Sequence, residues 1–188
     1  VLDNVRYFHT GTEYAEPKVV YRNVHGSFQE VTKQLGPDLA ASRVSRAAAF
    51  ADYDNDGDMD VLVTNNGDHP QLLRNDGGNR NHWLEVQLIG TRSNRDGIGA
   101  KVKIIANDVV QTDEAKGGMS YQAAHDPRLH FGLGNAGRIT LLQVYWPSGA
   151  VTKLTDIPAD RCVAIKEDVG EVPSRFPQFR RTRAAGKN

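Results

Sequence analysis

One stretch restricts this chain more than any other: Asp52-Tyr-Asp-Asn-Asp-Gly-Asp-Met-Asp60, with five aspartates at every second position over nine residues. Carboxylates held a few ångströms apart repel one another, so a tight turn made from them is costly unless a cation sits among them. With Asp52 as position 1, Asp54, Asp56 and Asp60 take positions 3, 5 and 9, and Gly57 takes position 6. Calcium accepts roughly six to eight oxygen ligands, and this pattern offers alternating carboxylates plus a glycine free to make a sharp turn. The expected ion is therefore Ca2+. Its candidate ligands are Asp52, Asp54, Asp56 and Asp60 through their side chains and Asp58 through its backbone carbonyl at position 7. A solvated acidic turn without metal is the alternative, and it leaves the density of aspartates unexplained.

The familiar helical calcium loop requires a bidentate Glu at position 12. That position here is Val63, inside the apolar run Val61-Leu-Val-Thr64, so the ligand set closes early, at Asp60. The flanks, Ala47 to Ala51 and Val61 to Thr64, are small, apolar or β-branched. They predict a loop at the tip of a β-hairpin.

The 188 residues suffice for one large or two small domains. Basic and acidic side chains balance at 23 each, so no global field favours nucleic acid as a partner. No apolar run reaches the length of a membrane span. The single cysteine, Cys162, rules out an intramolecular disulfide and a multi-thiolate zinc site; its apolar setting predicts a small buried hydrophobe. The chain opens on Val1 without a charged-then-apolar leader, which suggests a removed leader or a piece of something longer.

Taken in order, residues 1–18 give at most short extended pieces. Val19 to Val24, His25-Gly26 and Ser27 to Thr32 predict strand, turn and strand. A short helical turn through Lys33 to Leu35 should end at Gly36-Pro37, and 38–46 reads as a link into the acidic hairpin. Gln71 to Asn75 reads as another strand. Beyond it, the stretch from Asn79 to Gly90 contains a clear alternation, as a half-buried strand should. Glycine turns are expected at 93–99, at Gly117-Gly118 and within His125 to Gly134, with further strands at Lys101 to Ile105, Ile139 to Trp146 and Val163 to Ile165. Short strands punctuated by glycine and proline predict an all-β chain with an antiparallel β-sandwich.

Two resemblances follow from these residues. Arg22-Asn-x-x-Gly-x-Phe-x-Glu-Val-Thr32, continued by Ala49-Phe-Ala-Asp-Tyr-Asp-Asn-Asp-Gly-Asp-x-Asp-Val61, resembles the FG-GAP (integrin-type, VCBS-like) repeat. That resemblance implies a partial β-propeller, with calcium in a hairpin loop of one blade held by Asp52, Asp54, Asp56, Asp58 and Asp60. A second start, Arg74-Asn-Asp-Gly-Gly78, matches only in its opening. The later segment is similar to the ASPIC/UnbV domain, through Asn81-His-Trp-Leu84, Ser93-Asn-Arg-Asp-Gly-Ile-Gly-Ala100, Gly117-Gly-Met-Ser-Tyr121, Asp126-Pro-Arg-Leu-His-Phe-Gly-Leu-Gly134 and Val144-Tyr-Trp-Pro-Ser-Gly149. Together the two resemble the C-terminal part of the secreted cartilage-acidic-protein family. With about one and a half repeats visible, further blades upstream or a covering partner are implied, because a lone blade leaves sheet edges open.

The expected organisation is a repeat region at 1–78, a β-sandwich at 79–170 and a basic arm at 171–188. The arm carries five basic residues and no acidic one from Val172 onward, and is expected to be extended and pinned by Phe176 and Phe179, on another subunit or on its own domain. Catalysis is not expected. Ser120, His125 and Asp126 resemble a triad only in composition, without a nucleophile elbow. Asn94-Arg-Asp-Gly97 could add a second cation site but reads first as a loop. Trp83, Trp146 and Tyr121 could stack on a sugar if exposed, although aromatics in alternating strands are usually core. The function expected is a non-enzymatic, calcium-stabilised extracellular, cell-surface or periplasmic binding and assembly module with protein partners or further subunits. The alternative is a carbohydrate-binding or carbohydrate-processing accessory domain, with a glycan as ligand.

Overall fold

Many turns among the described residues carry a residue with positive φ, and about half of the chain is strand. The computed structural model describes residues 14–77, 80–119 and 121–176. Strands β1 (Tyr21–Val24) and β2 (Ser27–Glu30) form a hairpin, closed by His25 at φ 50° and Gly26 at φ 88°. Two successive residues with positive φ give the turn whose twist matches paired strands. Asn23 Oδ1 accepts a hydrogen bond from the Gly26 N–H at 2.8 Å, which fixes that turn further.

A 3₁₀ turn at Thr32–Gln34 follows, and then helix α1 (Pro37–Ala40). This corrects the expected link over 38–46: Pro37 begins a helical turn as well as ending one, because a missing N–H costs nothing at a first helical position. β3 (Ser45–Ala51), β4 (Asp60–Asn65) and β5 (Gln71–Leu73) form one sheet in that order, and the acidic loop joins β3 to β4 as the hairpin reading expects.

The remaining strands are β6 (His82–Ile89), β7 (Lys101–Ala106), β8 (Val109–Glu114), β9 (Leu129–Gly134), β10 (Arg138–Tyr145), β11 (Val151–Pro158), β12 (Arg161–Lys166) and β13 (Gly170–Val172). They make two four-stranded sheets, ordered β11-β10-β7-β8 and β13-β12-β6-β9. The described residues are thus almost entirely β, in several sheets of which none is closed. The two larger sheets share one core, to which Leu84, Val86, Val102, Ile104, Ile139, Leu142, Val144, Val163 and Ile165 contribute fully buried side chains. Each such side chain gives roughly 1.5–3 kcal/mol on leaving water.

Three strand expectations need correction. β6 is buried on both faces, because Glu85 and Gln87, which alternate with the core residues, are also covered. The segment around Leu129 is a strand where a glycine turn is expected: Leu129, Phe131 and Leu133 point into the core, while Gly132 lies on the exposed side with open space above it. β8 and β11 are added to the expected strands: the β7–β8 hairpin turns on Asn107 (φ 45°) and Asp108 (φ 62°) instead of glycine, whereas β11 follows a turn at Gly149 (φ 87°). Within an otherwise antiparallel arrangement, β12 pairs with β6 in parallel, with Arg161 opposite Leu84 and Lys166 opposite Ile89.

By contacts the chain forms two compact units. The first comprises described residues 14–50, 60–74 and 121–123, and the second comprises 51–59, 75–119 and 124–176. The second unit therefore includes most of the acidic loop. The first has a small buried set, Thr32, Ala47, Asp60 and Val63, and leaves Tyr21, Phe28, Leu62 and Leu72 exposed. The expected pieces at 1–13, Ser120 of the triad-like set and Phe179 of the arm lie outside the described residues.

Candidate metal centre

The acidic loop turns inward upon itself. Asp52 is buried, and its two carboxylate oxygens accept hydrogen bonds from the Asp56 N–H at 3.0 Å and the Gly57 N–H at 2.8 Å. Asp56 Oδ1 in turn accepts the Asp58 N–H at 3.0 Å. Gly57 stands at φ 94°, where an L side chain is strained, and a Cβ placed there would lie 2.1 Å from Trp83 Nε1. Two independent constraints thus require glycine at position 6.

This folding brings Asp52, Asp54 and Asp60 together, with one carboxylate oxygen from each within 4.8 Å of the others. Among the described residues they are the one such group of three or more metal-type side chains. Asp54 Oδ1 is buried without a hydrogen-bond partner in the protein, which leaves a charged oxygen in need of a positive neighbour. Burial pushes the Asp52 carboxyl up to about 6, against the pull of the N–H donors from Gly57 and Asp56. Oxygen-only donors of this kind suit a hard cation, so the residues fit a metal. Asp56 and Asp58 lie in the same loop but outside the converging three, with the Asp58 side chain buried.

A buried arginine holds the loop from the side. Arg128 uses all five of its N–H donors. Nη1 donates to Asn55 Oδ1 at 2.7 Å and to Glu85 Oε2 at 2.5 Å. Nη2 donates to the Asp52 carbonyl at 2.8 Å and to Asp126. Nε completes the fork on the Asp126 carboxylate. The ring of Phe176 covers the guanidinium, 4.4 Å from its carbon to the ring centroid. Burial alone would lower the Arg128 pKa, but Asp126 and Glu85 beside it hold it above its usual value. Sequence reasoning passed over Arg128, Glu85 and Asn55. The available signal was a glutamate inside the apolar run of β6, which requires a buried partner of opposite charge.

The other weighed residues have structural roles. Asn94 closes its turn by exchanging two hydrogen bonds with the Ile98 backbone, each 2.8 Å. Beside it, fully buried Glu167 accepts the consecutive N–H groups of Thr91, Arg92 and Ser93 at 2.8–2.9 Å, and the hydroxyls of Ser93 and Ser148. Burial pushes its pKa up, but these donors outweigh it and hold the carboxyl well below the usual range. Trp146 is core, with Nε1 bonded to Thr152 Oγ1 at 2.9 Å. Trp83 covers Gly57 and stacks on His130, and Tyr121 is exposed. Cys162 is buried as expected, and burial pushes its thiol up. Phe176 packs on Arg128 of its own chain.

Two known families match parts of the chain. Residues 10–63 match the FG-GAP-like repeat family and residues 90–172 match the ASPIC and UnbV family. The two matches follow one another along the chain in that order. It is also 28% identical over 165 residues to cartilage acidic protein 1 of Mus musculus, an alignment covering 85% of this chain and 24% of that protein. The Homo sapiens protein of the same name is 29% identical over 136 residues, covering 69% of this chain and 20% of the relative. This chain thus spans about a quarter or less of the length of the curated relatives it matches. None of these descriptions names a reaction. Among the described residues no helix is long and apolar enough to cross a membrane. Strand β6 falls outside both matched spans, although it sits between β9 and β12 in its sheet.

Proposed function

We propose that this chain is a calcium-stabilised, non-enzymatic binding and assembly module of a longer extracellular, cell-surface or periplasmic protein. The observation that carries this reading is the convergence of Asp52, Asp54 and Asp60 around a buried Asp54 oxygen that has no hydrogen-bond partner. Calcium bound there would neutralise the loop, with Asp56 and the Asp58 carbonyl completing the ligand set. Abundant calcium outside the cytoplasm suits such a preformed oxygen site. The likeness to FG-GAP-like repeats and to cartilage acidic protein 1 favours protein partners. Of the aromatics a glycan could use, Trp146 is spent in the core and Trp83 on the loop, which leaves Tyr121 alone exposed.

A thermal melt in excess calcium and in chelator tests the proposal. A ligand of the folded state raises stability by roughly 2.7 kcal/mol at a hundredfold excess over Kd. A rise of several degrees with calcium, abolished in Asp54→Asn, is the expected result. Equal melting temperatures in both buffers would overturn it.

A further inference from the structure

We propose that Arg128 is the positioning residue of the cation loop, and that through it cation binding and the docking of Phe176 are coupled. This rests on the calcium reading above and adds the residues that regulate it.

Asp52 is held from two sides. Its carboxylate belongs to the converging three, while its carbonyl accepts from Arg128 Nη2 at 2.8 Å. Asn55 lies between Asp54 and Asp56 at φ 57°, a conformation that non-glycine residues rarely adopt, and its side chain accepts from Nη1 of the same group. Two points on the loop are therefore fixed by one planar guanidinium. That plane cannot shift to follow the loop without breaking its bonds to Glu85 on β6 and to Asp126, since every donor is engaged.

The face of the guanidinium left over by in-plane bonding is covered by Phe176. The segment bearing Phe176 is itself tied down: the Arg175 N–H and Ser174 Oγ donate to Gln87 Oε1 at 3.2 and 3.3 Å, and the Phe176 N–H donates to Ser174 Oγ at 3.1 Å. Gln87 lies two residues beyond Glu85 on β6. The loop and the 174–176 segment thus share one rigid element. Ordering the loop with a cation fixes the plane on which Phe176 rests, and a docked Phe176 fixes the plane that aims Asp52 and Asn55. Such coupling is reciprocal by thermodynamic necessity.

The test uses the full chain, with calcium as the probe. Calorimetric titration gives the calcium affinity of wild type, Phe176→Ala and Asn55→Ala, both of which leave the buried Arg128–Glu85–Asp126 charges intact. Arg128→Lys serves as a third variant where it folds. Hydrogen exchange with calcium and with chelator follows the amides of Gly57 and Asp58, of Arg175 and, as a control for general stabilisation, of β10. The expected result is a calcium affinity about fivefold or more weaker in Phe176→Ala, together with Arg175 exchange that chelation speeds by more than it speeds β10. Unchanged affinity in Phe176→Ala, or Arg175 exchange that follows β10, would overturn the coupling while leaving the calcium site standing. Loop amides indifferent to calcium in wild type would overturn the calcium reading, and the coupling with it.

Discussion

Glu167 shows how much one side chain can fix. Its carboxylate collects three consecutive backbone N–H groups, so it closes the turn after β6. Glu167→Gln replaces an acceptor oxygen with an amide that faces those donors, and is expected to cost about 2–3 kcal/mol in chemical denaturation. Because the folded pKa lies below the ordinary value, the contribution is complete above about pH 4.3, the unfolded range, and declines as pH falls from there. Wild type should therefore lose stability more steeply than Glu167→Gln between about pH 4.5 and 2. Equal slopes would show that the carboxylate is not held as described. Gly57 offers the complementary case. Gly57→Ala adds a Cβ at positive φ and against the Trp83 indole, and is expected to cost about 2–4 kcal/mol, read as a lowered melting temperature. At this scale the sequence was informative where a residue type has one use, as with Gly57 and the aspartates. It was silent on Arg128, whose role depends on partners 43 and 73 positions away in the chain.

Among the elements, legibility followed the turns. The β1–β2 hairpin was readable because His25-Gly26 announces positive φ. The β7–β8 hairpin was not, since Asn107-Asp108 adopts the same region without a glycine to mark it. The acidic hairpin was readable from its aspartates and apolar flanks, and its aspartates converge only in part: Asp52, Asp54 and Asp60 meet, while Asp56 caps Asp58. β6 was misread as half-exposed because Glu85 and Gln87 look like solvent-facing residues until their partners, Arg128 and the 174–176 segment, are known. That strand should be the least tolerant of all. Leu84→Ala, at a fully buried position, is expected to cost about 2–5 kcal/mol. A cost near zero in urea titration would mean that the core does not close on β6.

At the scale of the whole molecule, the two units differ in what holds them. The second has a continuous core fed by two sheets, whereas the first buries few side chains and exposes Tyr21, Phe28, Leu62 and Leu72. Local opening free energy follows buried contact. Backbone amides of β1 and β2 should therefore exchange orders of magnitude faster than those of β6, β10 and β12, which hydrogen-exchange mass spectrometry would resolve. Comparable protection in both would mean that the first unit draws stability from contacts beyond those described.

The parallel pairing of β6 with β12 also sets a timetable for synthesis. Leu84 must wait for Arg161, 77 residues later, before its strand gains that neighbour. At about 5–20 residues per second on a ribosome, this is an interval of roughly 4–15 s. β9 can pair with one edge of β6 before then, but the edge that β12 takes stays open until Arg161 is made. A nascent chain released within that window would present β6 as a ready edge for other chains to join.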